Sequence, residues 1–514
     1  MKKTIIILII LILGLKTLYG QIKNTPDFDS QGVAYGSYGY YDLSQLFSKT
    51  YTAGTARMQA IGGAQISLGG DLSAGHFNPA GLGLFNSSSL SITPSLDFHS
   101  SEATYNGSQA KDYRANMNFA HLGAGFYHEG SGAFQGGTFA ITLARINDFY
   151  NDSYYSGIAN GSSIIDSYLD NAAGYDINQL NDELYNAYSQ YLINPNLYNL
   201  GYWSFVDGTP RQSERIRTKG KQYQWDFSYG GNYNDQLYFG LGLGISTLEY
   251  WEERLYYETE FYDTNTETFD EELNALSTES ILEVNGIGAN ATFGFIARPT
   301  DAFRIGLVAK TPTFYNLTDI SSIDLQTEYN DVEHYDEFND TTVVLSVMSD
   351  IYASESEYNL RTPWKLSLGA SYFIGRSGFI SADIDYLDYS TSHIKSYDYG
   401  VNFGVSPDNR TISNIYKPTL NYRIGGEYRL GILAFRAGYN RIGDPHRSGA
   451  VDRSVNRYSG GLGYRNENMH VDLSIVRSIH NDQKTLYYFP DGTGPAADLK
   501  NANTNISVTV GFNF

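Results

Sequence analysis

Residues 502–514 read ANTNISVTVGFNF and alternate between two kinds of side chain up to the last residue. Ile506, Val508 and Phe512 belong to one set, and small polar residues such as Ser507 make up the other. Successive side chains of a β-strand point to opposite faces, so this segment predicts a strand with one apolar and one polar face. The stretch that ends the chain therefore indicates β structure.

The same alternation recurs through the chain after residue 88. Clear examples are 90–98, 223–229, 237–245, 364–372 and 420–428. Together with weaker segments, the pattern predicts fourteen strands. They are expected at about 89–98, 113–128, 136–150, 221–232, 236–252, 280–298, 302–317, 357–374, 378–391, 416–430, 432–443, 454–465, 469–480 and 502–514.

The connections between these strands alternate between short and long. The even-numbered connections are tight: 129–135, 233–235, 299–301, 375–377, residue 431 and 466–468. The odd-numbered connections are long and polar, and the longest covers 151–220. Short periplasmic turns and long extracellular loops are typical of an up-and-down membrane barrel, whereas Greek-key links of a sandwich are not sorted in this way. We therefore predict an all-β fold, a 14-stranded antiparallel transmembrane β-barrel with both termini in the periplasm.

Charged residues fall on the polar faces of the predicted strands. Arg or Lys on the lipid face at the bilayer midplane costs about 2–4 kcal/mol, so these side chains should face the lumen and form a cross-lumen network. The set comprises Arg304, Lys310, Lys365, Asp383, Asp385, Arg423, Glu427, Arg429, Arg436 and Asp472.

Composition limits the possible functions. The chain of 514 residues has no Cys, which excludes disulfides, Cys-ligated zinc and thiol chemistry. Its net charge of −21, without a basic cluster, argues against a nucleic-acid partner. The motif at 286–291 resembles a dinucleotide loop but lies inside a predicted strand, and no Ser/His/Asp cluster is visible. We expect no catalytic residue, no metal, no cofactor and no enzyme activity.

The N-terminus has the features of an export signal. Lys2 and Lys3 precede an apolar stretch from residue 4 to 15, and Gly20 offers a small residue before a cleavage point. After residue 20 no apolar run is long enough for a membrane-spanning helix. The predicted domains are a cleaved signal peptide at 1–20, an N-terminal segment with a hatch at 21–88, and the barrel at 89–514.

Residues 21–88 do not show the strand pattern. Ala56, Ile61, Ala64 and Leu68 give a weak helical pattern, and the small and apolar residues of the segment favour burial over a free tail. A non-barrel segment before the first strand is best explained as a plug, or hatch, inside the lumen. We expect a rigid turn at 78–79, because Pro79 has a fixed φ and holds the preceding residue in an extended conformation.

Several motifs in and beyond this segment resemble one transporter family. GTARMQAIGGA at 54–64, DLSA at 71–74 and NPAGL at 78–82 resemble the N-terminal hatch of FadL/OmpP1/TodX outer-membrane proteins. NGIGANA at 285–291, RPTD at 298–301 and TPTFY at 311–315 resemble the Bacteroidota branch, often labelled "hemin receptor". The terminal strand also resembles the one by which outer-membrane barrels are recognised for insertion.

The resemblance implies a location in the outer membrane of a Gram-negative bacterium and passive uptake of hydrophobic compounds such as long-chain fatty acids. It implies a gating role for the hatch residues Phe77, Asn78, Pro79, Ala80 and Gly81, although a purely structural turn is equally compatible with them. It also implies a kink in the third strand that opens a lateral exit. Adjacent glycines can seat such a bulge or simply end a turn, and Gly136 and Gly137 are the candidates.

The long connection at 151–220 contains apolar residues near helical spacing, which predicts helices on the extracellular rim. Tyr154, Tyr168 and Trp203 are candidate contacts for capturing a hydrophobic ligand. Aromatic residues at a membrane rim also form the usual interfacial belt, and that alternative stays open.

The expected partners are the outer-membrane bilayer, a hydrophobic small molecule, and the barrel-assembly machinery acting through Phe514. The protein is expected to be a monomer. Two other functions stay open from the resemblance: a haem-binding receptor, and a binding or assembly component such as a type IX secretion shuttle. The ligand itself is not determined by the sequence.

Overall fold

The computed structural model describes residues 39–49, 51, 54–196, 200–263, 268–270, 272–336, 339–396, 407–466 and 468–514. Within these residues fourteen antiparallel strands form one barrel, because the first strand pairs with both the second and the last. The predicted fold class is confirmed. The predicted signal peptide at 1–20 lies outside the described residues.

The barrel strands are numbered in chain order, and four of them are interrupted once. They are β1 (Ser89–Tyr105), β2 (Ser108–Ser131), β3 (Phe134–Asp148 and Asn151–Ile158), β4 (Thr209–Tyr233), β5 (Leu237–Asp263), β6 (Leu273–Thr300), β7 (Phe303–Lys310 and Phe314–Asp336), β8 (Thr341–Arg361 and Lys365–Phe373), β9 (Gly378–Asp388 and His393–Ser396), β10 (Pro418–Leu430), β11 (Leu433–Ile442), β12 (Val455–Arg465), β13 (Met469–Thr485) and β14 (Ala496–Asn513). Short strand pieces lie outside the barrel at Asn194–Pro195, Tyr202–Trp203 and Thr268–Phe269.

The fourteen predicted strands all occur, and the six tight turns lie where the sequence placed them. The long polar connections differ from the prediction. Several of them are continuations of the strands, so that β1 and β2 meet in a tight turn at Asn106–Gly107. An antiparallel hairpin that extends beyond the membrane keeps its backbone groups hydrogen-bonded. Its outward side chains there are in contact with water, so they can be polar. The connection after β3 remains long, because Ile158 and Thr209 bound a region with its own helices.

Strand alternation sorts apolar residues to the outside of the barrel. Leu241, Leu243, Leu366, Leu368 and Ile424 are all about half exposed on the outer face. The predicted lumen charges Asp383, Asp385, Arg423, Glu427, Arg436 and Asp472 are buried inside. An apolar outer belt around a sheet whose backbone groups pair with one another is the arrangement that hydrocarbon requires, so the wall is membrane-spanning. In the part of the chain that the structure describes, no helix is long and apolar enough to cross a membrane.

The described part of the N-terminal segment, within residues 39–88, lies inside the lumen as predicted. It contains α1 (Tyr40–Ser48), α2 (Ala56–Ala60), α3 (Ala74–Phe77) and a 3-10 helix at Pro79–Leu84. The C-terminal Phe514 lies at the tight-turn end, where it exchanges backbone hydrogen bonds with Ser88. Gly39, where the described chain begins, lies in the other half of the lumen, since the neighbouring Tyr40 ring stacks edge-on against Tyr358 at 5.0 Å. The predicted periplasmic N-terminus precedes the described residues.

The connection between β3 and β4 covers the extracellular end. It contains α4 (Ile164–Ala172), a 3-10 helix at Ile177–Gln179 and α5 (Asp182–Ser189), which confirms the prediction of rim helices. These helices pack on the upper parts of β4 to β8 around a core that includes Ile164, Leu184 and Leu325. A further helix, α6 (Pro407–Ile415), lies between β9 and β10 and packs against α1.

Candidate functional site

The turn at 78–79 fixes the course of the hatch. Asn78 is extended, with φ −148°, and its Oδ1 accepts a hydrogen bond from the backbone N–H of Ala80 at 3.1 Å. Its Nδ2 donates to the carbonyl of Ile66 at 2.6 Å. The rigid turn expected from Pro79 is therefore present. The buried Asn78 side chain therefore connects Ile66 and Ala80, which lie in two different parts of the hatch.

Glycines let the hatch approach the barrel wall closely. A Cβ on Gly240 of β5 would stand 2.2 Å from the amide nitrogen of Ala80, and a Cβ on Gly294 of β6 would stand 1.9 Å from Asn78 Oδ1. Within the hatch, a Cβ on Gly81 would meet Gly69 Cα at 2.8 Å. The expected close backbone approach is thus seen, and it leaves no space for water between Pro79–Ala80 and the wall.

Ionic and polar bonds tie the hatch to the wall at several further points. Arg57 Nε lies 3.1 Å from Glu427, whose carboxylate also accepts from Arg436 at 2.7 Å. The backbone N–H groups of Gln65 and Ile66 both donate to one Asp383 oxygen, at 2.7 and 3.1 Å. The predicted lumen charges therefore do form a network, and much of it holds the hatch.

His76 and Phe77 form the end of the hatch that faces the middle of the lumen. His76 Nδ1 lies 2.9 Å from an Asp226 oxygen, and burial lowers the pKa of the imidazole, so a neutral ring donates to the carboxylate. The Phe77 ring packs against Ala144 and Ile146 of β3. This contact connects the hatch to the strand in which the sequence predicts a kink.

Helix α1 divides the space above the hatch. On its extracellular side lies a vestibule of about 710 Å³. A second cavity, of about 260 Å³, lies between α1 and β3 and is termed the lateral cavity below. Lys49, Tyr51 and Tyr250 line both spaces. The sequence analysis missed α1, although Leu43 and Phe47 have the spacing of one helical face and are both buried.

The lateral cavity has a lining of apolar and charged side chains, and Arg457 is one of its buried cations. Ile146, Phe149, Ile216 and Leu499 are among its lining residues. Arg457 of β12 is 8% exposed; its guanidinium carbon lies 5.7 Å from the Tyr51 ring centroid and Nε donates to Ser478 at 3.1 Å. Its Nη1 atom has no hydrogen-bond partner among the described residues. A buried donor without a partner is costly, which favours an anionic or carbonyl group in this cavity.

Strands β2 and β3 are not paired along their whole length. Their backbone pairing runs from the tight turn up to His121 and Ala144 and then ends. Above that pair, β2 keeps its partner β1, while residues 145–158 keep their partner β4. This stretch, between residues 108–120 and 145–158, is termed the seam below. At its extracellular end, Asn106 Nδ2 donates to the carbonyl of Ile158 at 2.8 Å.

Side chains close the seam in place of a backbone ladder. The Arg114 guanidinium carbon lies 4.9 Å from the Tyr150 ring centroid, and Arg215 joins Asp112 at 3.4 Å. The strand itself breaks at Phe149 and Tyr150, after a bulge between Arg145 and Asn147. Met117 and Phe119 are exposed on the outer face beside the lower seam, so this part faces the apolar belt. Ala120 and Asn147, from opposite sides of the seam, both line the lateral cavity.

The glycine pair predicted as a lateral opening lies in a paired part of the wall. A bulge does lie beside Gly136, but Gly136 and Gly137 pair with Glu129 and His128 in an unbroken ladder. The wall is closed there. The seam could not be predicted from the sequence, because its residues alternate like those of any other strand and only the loss of pairing distinguishes it.

The three capture candidates occupy different environments. Trp203 and Tyr154 are partly exposed on the extracellular part, as expected. Tyr168 is 1% exposed and lies in the core of the rim helices, where it lines a cavity of about 180 Å³ beside Ile323 and Leu325. It is not a surface contact, because α4 turns this side of the helix towards β6 and β7.

The fold and the site together define a plugged, membrane-spanning β-barrel with a lumen cavity beside a seam in its wall. Two solved structures are similar to this chain in fold. A FadL homologue of Pseudomonas aeruginosa matches with a TM-score of 0.56 at 13% identity, over 91% of this chain and 99% of that chain. The toluene transporter TodX of P. putida matches with a TM-score of 0.53 at 12% identity, over 90% and 99%.

At these identities the likeness concerns the fold, which agrees with the FadL-type architecture predicted from the hatch motifs. No family model and no curated protein matches the sequence.

Proposed function

We propose that the protein is an outer-membrane channel for passive uptake of hydrophobic compounds, long-chain fatty acids among them. The observation that carries the proposal is the seam, which lies beside the lateral cavity and faces the apolar outer belt at its lower end. A closed barrel wall gives an apolar solute no path from the lumen to the bilayer. A wall section held by side chains can separate at modest cost, since single exposed ion pairs contribute about 0–1 kcal/mol.

The proposed route has three stages. An apolar solute collects at the extracellular part, passes the vestibule beside α1, and enters the lateral cavity past Tyr51. It leaves through the seam into the membrane without crossing the hatch. The hatch then keeps the polar lumen closed to water-soluble solutes, which its close contacts with Gly240 and Gly294 suit.

Arg457 gives the route a preference among hydrophobic solutes. Its Nη1, which has no hydrogen-bond partner in the part of the chain that the structure describes, can bind a carboxylate, and the apolar part of the cavity lining can take the adjoining hydrocarbon chain. We therefore expect a long-chain fatty acid to gain more from Arg457 than a neutral aromatic such as toluene.

Uptake measurements in a strain that lacks its own hydrophobic transporters test both points. Cells with the wild-type protein should take up a long-chain fatty acid and toluene faster than cells with an empty vector. Arg457→Gln should lower fatty-acid uptake by roughly tenfold, the loss expected for a charge-assisted bond, and leave toluene uptake nearly unchanged. Arg477→Gln is the matched control, because Arg477 is exposed and bonds only the nearby Thr504 in the part of the chain described here.

Two results would count against the proposal. Equal uptake with and without the protein would remove the transport function. Equal losses for both solutes in Arg457→Gln would remove the carboxylate site and leave a channel without headgroup preference.

A further inference from the structure

The outer face of β4 changes from aromatic to basic along the strand. Five of the six outward positions between residues 223 and 233 are aromatic, and five of the six between residues 211 and 221 are basic. The alternate residues of the basic part, such as Gln212 and Ile216, are buried, so its cations face away from the lumen. These cations, termed the basic stripe, are Arg211, Arg215, Arg217, Lys219 and Lys221.

The aromatic part of β4 has the height of a hydrocarbon core. Residues 223–233 extend roughly 33 Å along the strand, at about 3.3 Å per residue. With the tilt of about 35–45° that is usual in membrane barrels, this segment rises roughly 25 Å, which matches the apolar band of about 25 Å in such barrels. Lys221 is therefore the first outward residue of β4 above the hydrocarbon, at the level of the lipid headgroups on the extracellular side.

Most cations of the stripe have a carboxylate neighbour on an adjacent strand. Lys221 Nζ lies 3.1 Å from Glu249, and Arg217 Nη1 lies 3.0 Å from Glu253. The side chains of Lys221 and Arg217 are 51% and 42% exposed. Exposed ion pairs contribute little to stability, so these cations can exchange a carboxylate for a phosphate, which offers more oxygens as acceptors.

Lys219 differs from its neighbours in the stripe. Its Nζ lies 3.9 Å from the centroid of the Trp251 ring, and the ion pairs of the described residues do not include it. Trp side chains are enriched at membrane interfaces, where the ring lies at headgroup level. An ammonium group that is held over Trp251 thus presents an uncompensated positive charge to the headgroup layer.

The wall is not basic all round at this level. On β5 the corresponding outward residues include Glu249 and Glu253, and on β6 they include Glu279 and Glu283. Charges of one sign repel each other, so the outer face of β6 disfavours an anionic headgroup that the face of β4 attracts. The outer surface therefore offers such a headgroup a defined place at β4.

We propose that the basic stripe binds a membrane lipid whose headgroup carries phosphate groups. The phosphates lie at Arg217, Lys219 and Lys221, and the acyl chains lie along the aromatic residues at 223–233. Arg and Lys form strong charge-assisted hydrogen bonds with phosphate oxygens. The occupant is a lipid rather than a dissolved ion, because the stripe directly continues an apolar face that a dissolved phosphate does not use. The proposed route of uptake lies inside the wall and does not involve this site.

Native mass spectrometry of the whole protein in detergent tests the proposal. The probes are two forms of lipid A with the same acyl chains, one with two phosphates and one with a single phosphate, supplied in equal amounts. We expect the diphosphorylated form to be bound roughly fivefold more than the other, and this preference to shrink as salt rises. Equal binding of the two forms would overturn the proposal.

The double substitution Lys219→Gln and Lys221→Gln tests the position of the site. It should abolish the preference for the diphosphorylated form. The matched control, Arg298→Gln with Arg376→Gln, removes the same charge from the tight-turn end, and in each pair one cation has a carboxylate neighbour, at 3.1 Å for Lys221 and 2.6 Å for Arg298. Both variants should keep the heat-resistant gel mobility of a folded barrel. Equal loss in both would make the effect one of net charge and overturn the site at β4.

Two other occupants have their own outcomes, and each would overturn the proposal. Complete displacement of the diphosphorylated lipid by inorganic phosphate at the same concentration would show that the stripe binds dissolved anions. Binding of palmitate in place of the diphosphorylated lipid, and its loss in the Lys219→Gln and Lys221→Gln variant, would make a transported carboxylate the occupant.

Discussion

Two junctions of the barrel wall have similar length and different construction. Where β14 meets β1, backbone pairing runs from Ser89 opposite Asn513 up to Thr104 opposite Asp498 and is interrupted only at Thr93 and Pro94. Where β2 meets β3, pairing stops at His121 and Ala144, and side chains such as Arg114 and Tyr150 bridge the rest. A ladder hydrogen bond inside a membrane is expensive to leave unmade, whereas an ion pair at the aqueous end contributes about 0–1 kcal/mol. The first junction is held by a ladder over nearly all of its length, and the second is the one through which the proposed route leaves the lumen.

A disulfide across the seam should have the largest effect on uptake. A Cβ on Gly157 would stand 3.4 Å from Asn106 Cβ, close to the separation found in disulfides, and the chain has no other Cys. With Gly157→Cys and Asn106→Cys oxidised, we expect fatty-acid uptake to fall by roughly tenfold, as it would if the exit required about 1.4 kcal/mol of strand separation. Reduction of the same protein should restore uptake.

The matched pair for this test crosses the other junction at the same height. Thr104→Cys and Asp498→Cys are directly opposite in the β1–β14 ladder, outside the lateral cavity. Oxidation there should leave uptake unchanged. If both disulfides lower uptake equally, or neither does, the two junctions do not differ in function.

The substitution Asn78→Ala tests whether the hatch is a fixed anchor or a part that moves during transport. The change leaves the Ala80 N–H and the Ile66 carbonyl without their partner, at about 1–3 kcal/mol for each buried group. Since Asn78 packs against Gly294 of the wall, we expect it to be an anchor. Sensitivity to small hydrophilic antibiotics should rise several-fold, while fatty-acid uptake and barrel abundance stay normal.

Ser67→Ala is the control for this experiment, because Ser67 is buried in the same hatch and its hydroxyl has no partner among the described residues. It should change neither assay. Altered fatty-acid uptake in Asn78→Ala with unchanged antibiotic sensitivity would assign the turn to a gate, as the resemblance implies.

Removing one side-chain contact across the seam should have the smallest effect of these substitutions. Arg114→Ala removes a cation–π contact of about 0.5–1 kcal/mol and weak bonds to the backbone of Asn151. Amide hydrogen exchange should become a few-fold faster at 108–120 and 151–158, and remain unchanged at 496–513. Arg477→Ala, at the β13–β14 junction, should affect neither region. Uniform acceleration across the barrel would show that Arg114 stabilises the whole fold.

Much of the fold followed from local pattern. Alternation at 223–229 and 364–372 located strands, and the tight connections such as Gly431 located the turns, because period two and turn residues are properties of short segments. The burial of charges such as Glu427 followed from the same alternation. The hatch turn at Asn78 and Pro79 was also predictable, since the constraint of Pro on its neighbour acts within one peptide unit.

The candidate site was predicted in part. Gly136 and Gly137 were chosen because glycine pairs can seat a bulge, and in the structure they lie in a paired part of the wall. Arg457 gave no signal, because an Arg on a polar strand face looks the same whether or not a carboxylate lies opposite. Tyr168 had the right helical spacing, but the face it occupies depends on the packing of α4 against the strands.

By itself, the sequence determined that this chain forms a fourteen-stranded barrel with an apolar outside, a charged lumen and a plug, because each of these depends on side-chain order within a strand or a turn. The tertiary structure decided where the pairing of β2 and β3 ends, and that Nη1 of the buried Arg457 meets no hydrogen-bond partner among the described residues. Both properties depend on which residues of other strands lie opposite in the folded barrel. No local pattern records that.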